Sequence, residues 1–399
     1  MIKEQDIEFE EFGVKDAQYL PGGFNALVEL LKGAKKNKKK LNVKLGIDPT
    51  STDLHFGHTV CLHMLRKFQE NGHTPVLIIG DFTATVGDPS GRNEARPPLT
   101  LEQARTNAKT YLKQVHKILD KNKIKVFYNS EWLGGLSSAK ILELAHTVTI
   151  NQLVSKEAFG TRVEKGEPLY LHEALYPILQ GYDSIAVNAD IEMGGIDQTF
   201  NVLFGRHIQK CYCKPEQFVL LLPLLIGLDG KKKMSKSFNN YIALKDPPNE
   251  IYGKAMSIPD ELIEQYLYLI SSYQAQELHH FKEELKNPKD KKMKLAHNLV
   301  TQIYDYETAC EAEDDFIKQF QKNEIPDSIT TFSLLDPMQI TELMYAANLV
   351  QSKAEAKRLI AGGGVKLKSE KVTDPNFLIT TKDKNSVLQI GKRKFVKIV

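Results

Sequence analysis

Leu41-Asn42-Val43-Lys44-Leu45-Gly46-Ile47, followed further along by Pro75-Val76-Leu77-Ile78-Ile79-Gly80, decides the fold. The first run reads as a strand entering a glycine turn. The second is continuously apolar, as a parallel strand covered on both faces must be. Between them, Thr59 to Asn71 places Val60, Met64, Leu65 and Phe68 at helical spacing, and Gly72 stops the helix. Strand, turn, helix, strand is a βαβ unit. Working outward, Leu101 to Leu119 reads as helix, Ile124 to Tyr128 as strand and Phe218 to Ile226 as a further buried strand. The alternation predicts a nucleotide-binding α/β domain over residues 1–230.

Beyond it, Pro259 to Phe320 is charged and mostly helical in pattern, and Ile325 to Pro337, with two prolines and several Ser/Thr residues, reads as a linker. Two short helices follow, Ile340 to Ala347 and Lys353 to Ala361, then Gly362-Gly363-Gly364. The segments at residues 365–367, 387–390 and 394–398 alternate apolar with polar or basic residues, as half-buried strands do. From Thr341 to Val399 there are 12 basic and 5 acidic residues, although the whole chain carries only +3. A basic terminal module on a mildly acidic body points to a polyanionic partner.

The 399 residues are 42% hydrophobic and 26% charged, as in ordinary soluble globular proteins. The N-terminal residues are polar and acidic, unlike a secretory signal. The longest apolar run, Phe218 to Gly227, falls short of the ~20 residues of a membrane helix. A cytoplasmic protein without a membrane partner is expected. Cys211-Tyr212-Cys213 lies near His207, but the spacing matches no usual zinc ligand pair, so no protein-held metal is expected.

Two segments carry chemistry. His55-Phe56-Gly57-His58 opens the first crossover helix, where free N–H groups and the helix dipole attract phosphate. Gly57 lets a nucleotide approach the backbone. Lys233-Met234-Ser235-Lys236-Ser237 follows a buried strand and an Asp229-Gly230 turn, so it lies on a loop at a strand's carboxyl end. Mobile ammonium groups there can follow charge onto a polyphosphate in a transition state.

In this order and with a Rossmann-like pattern between them, the two segments resemble the H-I-G-H and K-M-S-K-S signatures of class I aminoacyl-tRNA synthetases. Phe56 replaces the isoleucine of the first; the second matches throughout. Gly46-Ile47-Asp48-Pro49-Thr50, the set Thr83, Gly87, Asp88, Pro89, Ser90 and Gly91, and Met193-Gly194-Gly195-Ile196-Asp197-Gln198 narrow the resemblance. So do Tyr176, Gln180 and Asp183, which share one helix face. Together they resemble the tyrosyl-tRNA synthetases, in the branch with K-L-G before D-P-T, over nearly the whole chain. The tryptophan enzymes, a small-molecule nucleotidyltransferase and a non-catalytic RNA-binding derivative are the alternatives. Asp183 and the basic tail favour tyrosine.

The resemblance implies a Rossmann-like parallel-sheet catalytic domain with a dimer-forming insertion (1–230). It also implies the lysine loop with a helical domain approaching the anticodon arm (231–330), and a small α+β RNA-binding domain (338–399). It implies L-tyrosine, ATP and tRNA(Tyr) as substrates, with Mg²⁺ arriving on ATP. His55, His58, Lys233 and Lys236 would be catalytic. Asp48, Thr50, Gly57, Gly195, Asp197 and Ser235 would join them around ATP. Asp88, Tyr176 and Gln180 would bind the α-ammonium group, Asp183 the phenol, and Gln198 would face the substrate. Lys353, Lys357, Arg358 and Lys366 would meet RNA. Leu136 to Val154, with apolar helical spacing, would lie near a two-fold interface. Two positions depart from the family. Lys44 stands where many members have a tyrosine that shares the phenol, and Glu192 where glutamine is common. Lys44 is therefore expected to pair with nearby acids, Asp81 being a candidate, and to shape the tyrosine pocket.

Overall fold

The computed structural model describes residues 9–88, 99–273, 277–279, 281, 285–320, 330–334, 336–368, 370–391 and 394–399. Pro89, Ser90 and Gly91 of the motif set, Lys392 and Arg393, the first eight residues, and residues 325–329 and 335 of the expected linker lie outside the described residues. The chain divides into two compact units, residues 1–305 and 306–399.

The first unit contains β1 (Gln18–Leu20), α1 (Gly23–Lys36), β2 (Asn42–Ile47), α2 (Phe56–Glu70), β3 (Thr74–Ile79), α3 (Thr83–Val86), α4 (Leu101–Val115) and β4 (Lys125–Tyr128). Next come α5 (Ser130–Leu133), α6 (Ser138–His146), α7 (Ile150–Val154), α8 (Glu157–Glu164), α9 (Leu171–Ala186), β5 (Ile191–Gly195) and α10 (Thr199–Cys211). The unit closes with β6 (Phe218–Leu222), α11 (Pro248–Met256), α12 (Ile263–Ile270) and α13 (Pro288–Ile303).

Its sheet has the order β1-β6-β5-β2-β3-β4, with only β1 antiparallel to its neighbour. The chain runs outward from β2 through β3 to β4, then returns to the other side of β2 for β5 and β6. The order thus reverses between β2 and β5, and the crevice beyond the carboxyl ends there is where such sheets take ligands. All five residues of β6 are buried, as are those of β3 after Thr74, which explains their unbroken apolar runs. The last expected strand ends at Leu222 rather than Ile226, because Pro223 has no N–H for the ladder. The first crossover helix begins at Phe56, earlier than the apolar spacing alone predicts, because His55 caps it. The 136–154 region is two helices: Thr149 caps α7 in a reciprocal bond pair with Gln152.

The second unit holds α14 (Tyr306–Phe320), β7 (Thr330–Phe332), β8 (Met338–Gln339), α15 (Ile340–Ala346), α16 (Lys353–Ala361), β9 (Val365–Leu367) and β10 (Glu370–Lys371). β11 (Leu378–Ile379), β12 (Val387–Ile390) and β13 (Lys394–Ile398) complete it. Ile340, Leu343, Met344, Ala356, Ile360, Leu388 and Val396 pack in one apolar core. β7 pairs in parallel with β13, so part of the expected linker is a strand. Thr330-Thr331-Phe332 has the β-branched and aromatic residues that suit a sheet edge, and this sheet begins before residue 338.

Candidate active site

The carboxyl ends of β2, β3, β5 and β6 open on one cavity of about 610 Å³. Its lining brings together Asp48, Thr50, His55, Gly57, His58, Gly195, Asp197, Lys233, Ser235 and Lys236, expected around ATP. It also includes Lys44, Asp88, Tyr176, Gln180, Asp183 and Gln198, expected around the amino acid.

The histidine end is built by helix capping. His55 Nδ1 accepts the Gly57 N–H at 3.2 Å, and His58 Nδ1 accepts the His55 N–H at 3.1 Å. The rings lie 3.9 Å apart between centroids. An imidazole whose Nδ1 accepts keeps its proton on Nε2. Desolvation, then His58 and the nearby lysines, hold His55 well below the usual histidine range. Desolvation pushes His58 down to about 4. Both rings are neutral at pH 7, and each offers an Nε2–H donor. A Cβ on Gly57 would stand 2.9 Å from the His55 ring, so only glycine fits beneath it.

The lysine loop is moored to this end. Met234 is buried and its N–H bonds the Leu225 carbonyl at 2.7 Å, while Phe56 N–H bonds the Ile242 carbonyl at 3.0 Å. Asn240 Oδ1 receives the Ser235 N–H at 2.8 Å. Lys233 Nζ pairs with Asp197 Oδ2 at 2.5 Å. Lys236 Nζ donates to Ser51 Oγ at 2.5 Å and to the Asp53 carbonyl. Both ammonium groups therefore stand over the cavity on oxygen acceptors of the chain itself.

The rest of the cavity is acidic and finely bonded. Asp48 accepts from Thr83 Oγ1 and from the Tyr176 hydroxyl, each at 2.8 Å. Gly80 must be glycine, because a Cβ there would fall 1.9 Å from Asp48 Oδ1. Asp88 Oδ2 accepts from Gln198 Nε2 at 2.9 Å. Asp183, 4% exposed, accepts from Trp132 Nε1 at 2.8 Å and from Asn129 Nδ2 at 3.3 Å. Burial pushes its carboxyl up to about 6, while Lys44 and the Trp132 and Asn129 hydrogen bonds hold it back. Asn129 and Trp132 were not singled out by sequence reasoning. The one usable signal was that Trp132 is the only tryptophan in the chain.

Lys44 does pair with an acid, but with Glu192 and not with the candidate Asp81. The distance to Glu192 Oε1 is 2.9 Å, and both side chains are nearly fully buried. Strand register explains it: Lys44 and Glu192 are Cα partners on β2 and β5. Asp81 lies beyond the end of β3, where it bonds Arg105 at 3.1 Å and the Ser130 hydroxyl at 2.7 Å. Lys44 also donates to the Gln180 carbonyl at 3.0 Å and to Ser184 Oγ at 2.8 Å, so all three of its protons are used. Glu192 in turn accepts from Gln180 Nε2 at 3.1 Å and from Gln217. The two departures from the family pattern are thus one ion pair beneath the cavity.

Elsewhere, His207 Nε2 bonds the Thr147 carbonyl at 2.6 Å. Among the described residues no group of three or more His, Cys, Asp or Glu side chains could hold a metal ion. In the second unit Lys357 and Arg358 are exposed, Lys366 is half-buried, and Lys353 is tied to Glu342 at 2.6 Å.

A family model described as tRNA synthetases class I (W and Y) matches residues 35–321. A second, for the SYY-like C-terminal domain of tyrosine–tRNA ligase, matches residues 317–398. The tyrosine–tRNA ligase of Thermotoga maritima is 46% identical over 367 residues, 91% of each chain. That of Francisella tularensis is 45% identical over 93% of this chain and 94% of its own. Among solved structures, a C-terminally truncated mitochondrial tyrosyl-tRNA synthetase of Coccidioides posadasii shares the fold. Its TM-score is 0.63 at 22% identity, over 77% of this chain and 90% of that one. The crevice at the strand reversal and the matched length agree, and the chain belongs to the class I tRNA synthetases, among the tyrosine–tRNA ligases.

Proposed function

We propose that the chain joins L-tyrosine to ATP, releasing pyrophosphate, and passes the tyrosyl group from the adenylate to the 3′-terminal ribose of tRNA(Tyr). One observation carries the reading: one cavity is lined both by His55, His58, Lys233 and Lys236 and by the Asp88, Tyr176, Gln180 and Asp183 set.

Asp88, Tyr176 and Gln180 take the α-ammonium group, and ionised Asp183 accepts the phenol proton. A buried acceptor of this kind rejects phenylalanine, which would leave it unpaired, by about 10⁴ to 10⁵. Gln198 faces the substrate, with Asp48 and Thr50 beneath the nucleotide. Gly195 and Asp197 meet the ribose, and Mg²⁺ enters on ATP as part of the substrate. The tyrosine carboxylate oxygen bonds to the α-phosphorus as the bond to the bridging oxygen breaks, and that electron pair leaves on pyrophosphate. His55 and His58 donate Nε2–H to phosphate oxygens. Lys233 and Lys236 exchange their protein acceptors for the charge growing on pyrophosphate. In the second step a ribose hydroxyl attacks the carbonyl of the adenylate and AMP leaves. Positioning and electrostatics suffice, without a covalent enzyme intermediate.

Amino-acid-dependent ATP–pyrophosphate exchange with all twenty amino acids tests this. Exchange is expected with tyrosine alone; exchange with tryptophan, or with none, overturns it.

Lys357 and Arg358, with Lys366 and Lys353 nearby in sequence, supply an RNA surface on the second unit. A cytoplasmic homodimer fits the exposed apolar side chains of α6 and α7, among them Leu142 and Ile150 at 63% and 77% exposure. A monomer in sedimentation equilibrium at micromolar concentration would exclude the dimer.

A further inference from the structure

Lys156 joins α7 to α8, outside every motif of the sequence. It is 7% exposed, and its ammonium group lies 5.0 Å from the centroid of the Phe159 ring and 5.4 Å from that of Phe200. It donates to Asn201 Oδ1 at 3.2 Å. Asn201, fully buried, donates through Nδ2 to Gln198 Oε1 at 2.9 Å and reaches Asp88 Oδ1 at 3.4 Å. Gln198 Nε2 then donates to Asp88 Oδ2 at 2.9 Å.

The direction of this chain matters. An ammonium group has donors and no acceptor, so the Asn201 oxygen must face Lys156. The Asn201 amide nitrogen is thereby turned toward Gln198 and Asp88. Gln198, accepting with its oxygen, turns its own nitrogen to the carboxylate. One cation thus sets two amides so that N–H groups, and not carbonyl oxygens, meet Asp88. Reversing either amide would set a carbonyl oxygen against a carboxylate oxygen. The charges agree: burial pushes the Lys156 ammonium down, while the Asp88 and Glu173 carboxylates pull it back up.

We infer that Lys156 is a positioning residue for amino-acid binding: through Asn201 and Gln198 it fixes the orientation of the Asp88 carboxylate that captures the substrate α-ammonium group. The inference rests on the reading of Asp88 given above. It also ties the α7–α8 connection, beside the exposed apolar helices, to the recognition of one substrate group.

The test compares equilibrium binding of L-tyrosine with that of 3-(4-hydroxyphenyl)propanoate, which keeps the phenol and carboxylate but lacks the ammonium group. In the full chain, Lys156→Met is expected to weaken tyrosine about tenfold, the worth of one charge-assisted hydrogen bond, and the analogue less than about twofold. Lys156→Arg, which keeps the donor, restores tyrosine binding. Asn201→Ala cuts the chain at its middle residue and carries the same selective loss, so a misfolded Lys156→Met leaves the question answerable. Equal weakening of both ligands, or of neither, overturns the inference. Asp88→Asn separates it from its premise. If Asp88→Asn shows no preference between the ligands, the ammonium reading itself fails. If Asp88→Asn discriminates and the Lys156 and Asn201 variants do not, only the positioning role fails.

Discussion

Asp183 sets a pH dependence. Its carboxyl titrates near 6 in the fold against 3.8 as the ordinary value. The folded chain therefore keeps a proton between those values that the unfolded chain has released. Stability declines as pH rises through that window, by about 3 kcal/mol in all. On the proposed reading tyrosine binding follows the opposite sense, since the ionised form is the one that accepts the phenol hydrogen bond. KM for tyrosine should rise as pH falls through about 6, while KM for ATP stays nearly level; Asp183→Asn should have a raised, pH-flat tyrosine KM. Steady-state exchange from pH 5 to 8 reads both. Lys44 gives a second test. Lys44→Met leaves Glu192 buried without its counter-charge, which costs about 3–5 kcal/mol. It should lower the unfolding midpoint clearly. Replacing both Lys44 and Glu192 by Met should recover most of that loss, with the tyrosine KM still raised more than that of ATP. Equal effects on both KM values would count against Lys44 as a floor to the amino-acid pocket. The charge at Lys44 was legible in the sequence, but its partner was not. Asp81 and Glu192 are equally plain as letters, and only the register of β2 on β5 selects between them.

In the proposed reaction the start of α2 concentrates the phosphate contacts in one turn. Gly57→Ala should displace the His55 ring, and with it one cap and one donor. It should lower kcat for adenylate formation by about 10²-fold, the usual loss for one oriented donor, with tyrosine affinity unchanged by calorimetry. At this scale the sequence was readable wherever pattern and chemistry coincided. β2, α2 and β3 were found because an apolar run, a cap and a glycine stop agreed in order. β7 was missed because three residues between prolines look like a linker until β13 is present to pair with them. Asn129 and Trp132 were missed for a similar reason. Each holds Asp183 across more than fifty positions of sequence, and no local period records such a pairing.

For the whole molecule, the proposed reading gives adenylate formation to the first unit and an RNA surface to the second. Lys357→Ala with Arg358→Ala should leave tyrosine-dependent exchange intact and weaken tRNA charging. The slope of log K against log salt should become shallower by about 0.7–0.9 for each phosphate that the variant no longer neutralises. Filter binding across a salt series measures the slope, and an unchanged slope would remove these residues from the RNA surface. The basic tail announced a polyanion, and the alternating strands beside it announced a folded module. Which of its cations are free to meet one was not legible: Lys353 is occupied by Glu342, a pairing set by the packing of α15 against α16.

The mooring of the lysine loop has a further consequence. Lys233 rests on Asp197 and Lys236 on Ser51 and Asp53, so in the proposed reaction these acceptors compete with the nucleotide for both ammonium groups. ATP binding is then a displacement reaction, whose observed affinity is the intrinsic one divided between nucleotide and self. A variant that weakens the resident acceptors, such as Ser51→Ala, should therefore release its grip on Lys236 and bind pyrophosphate more tightly than the parent chain.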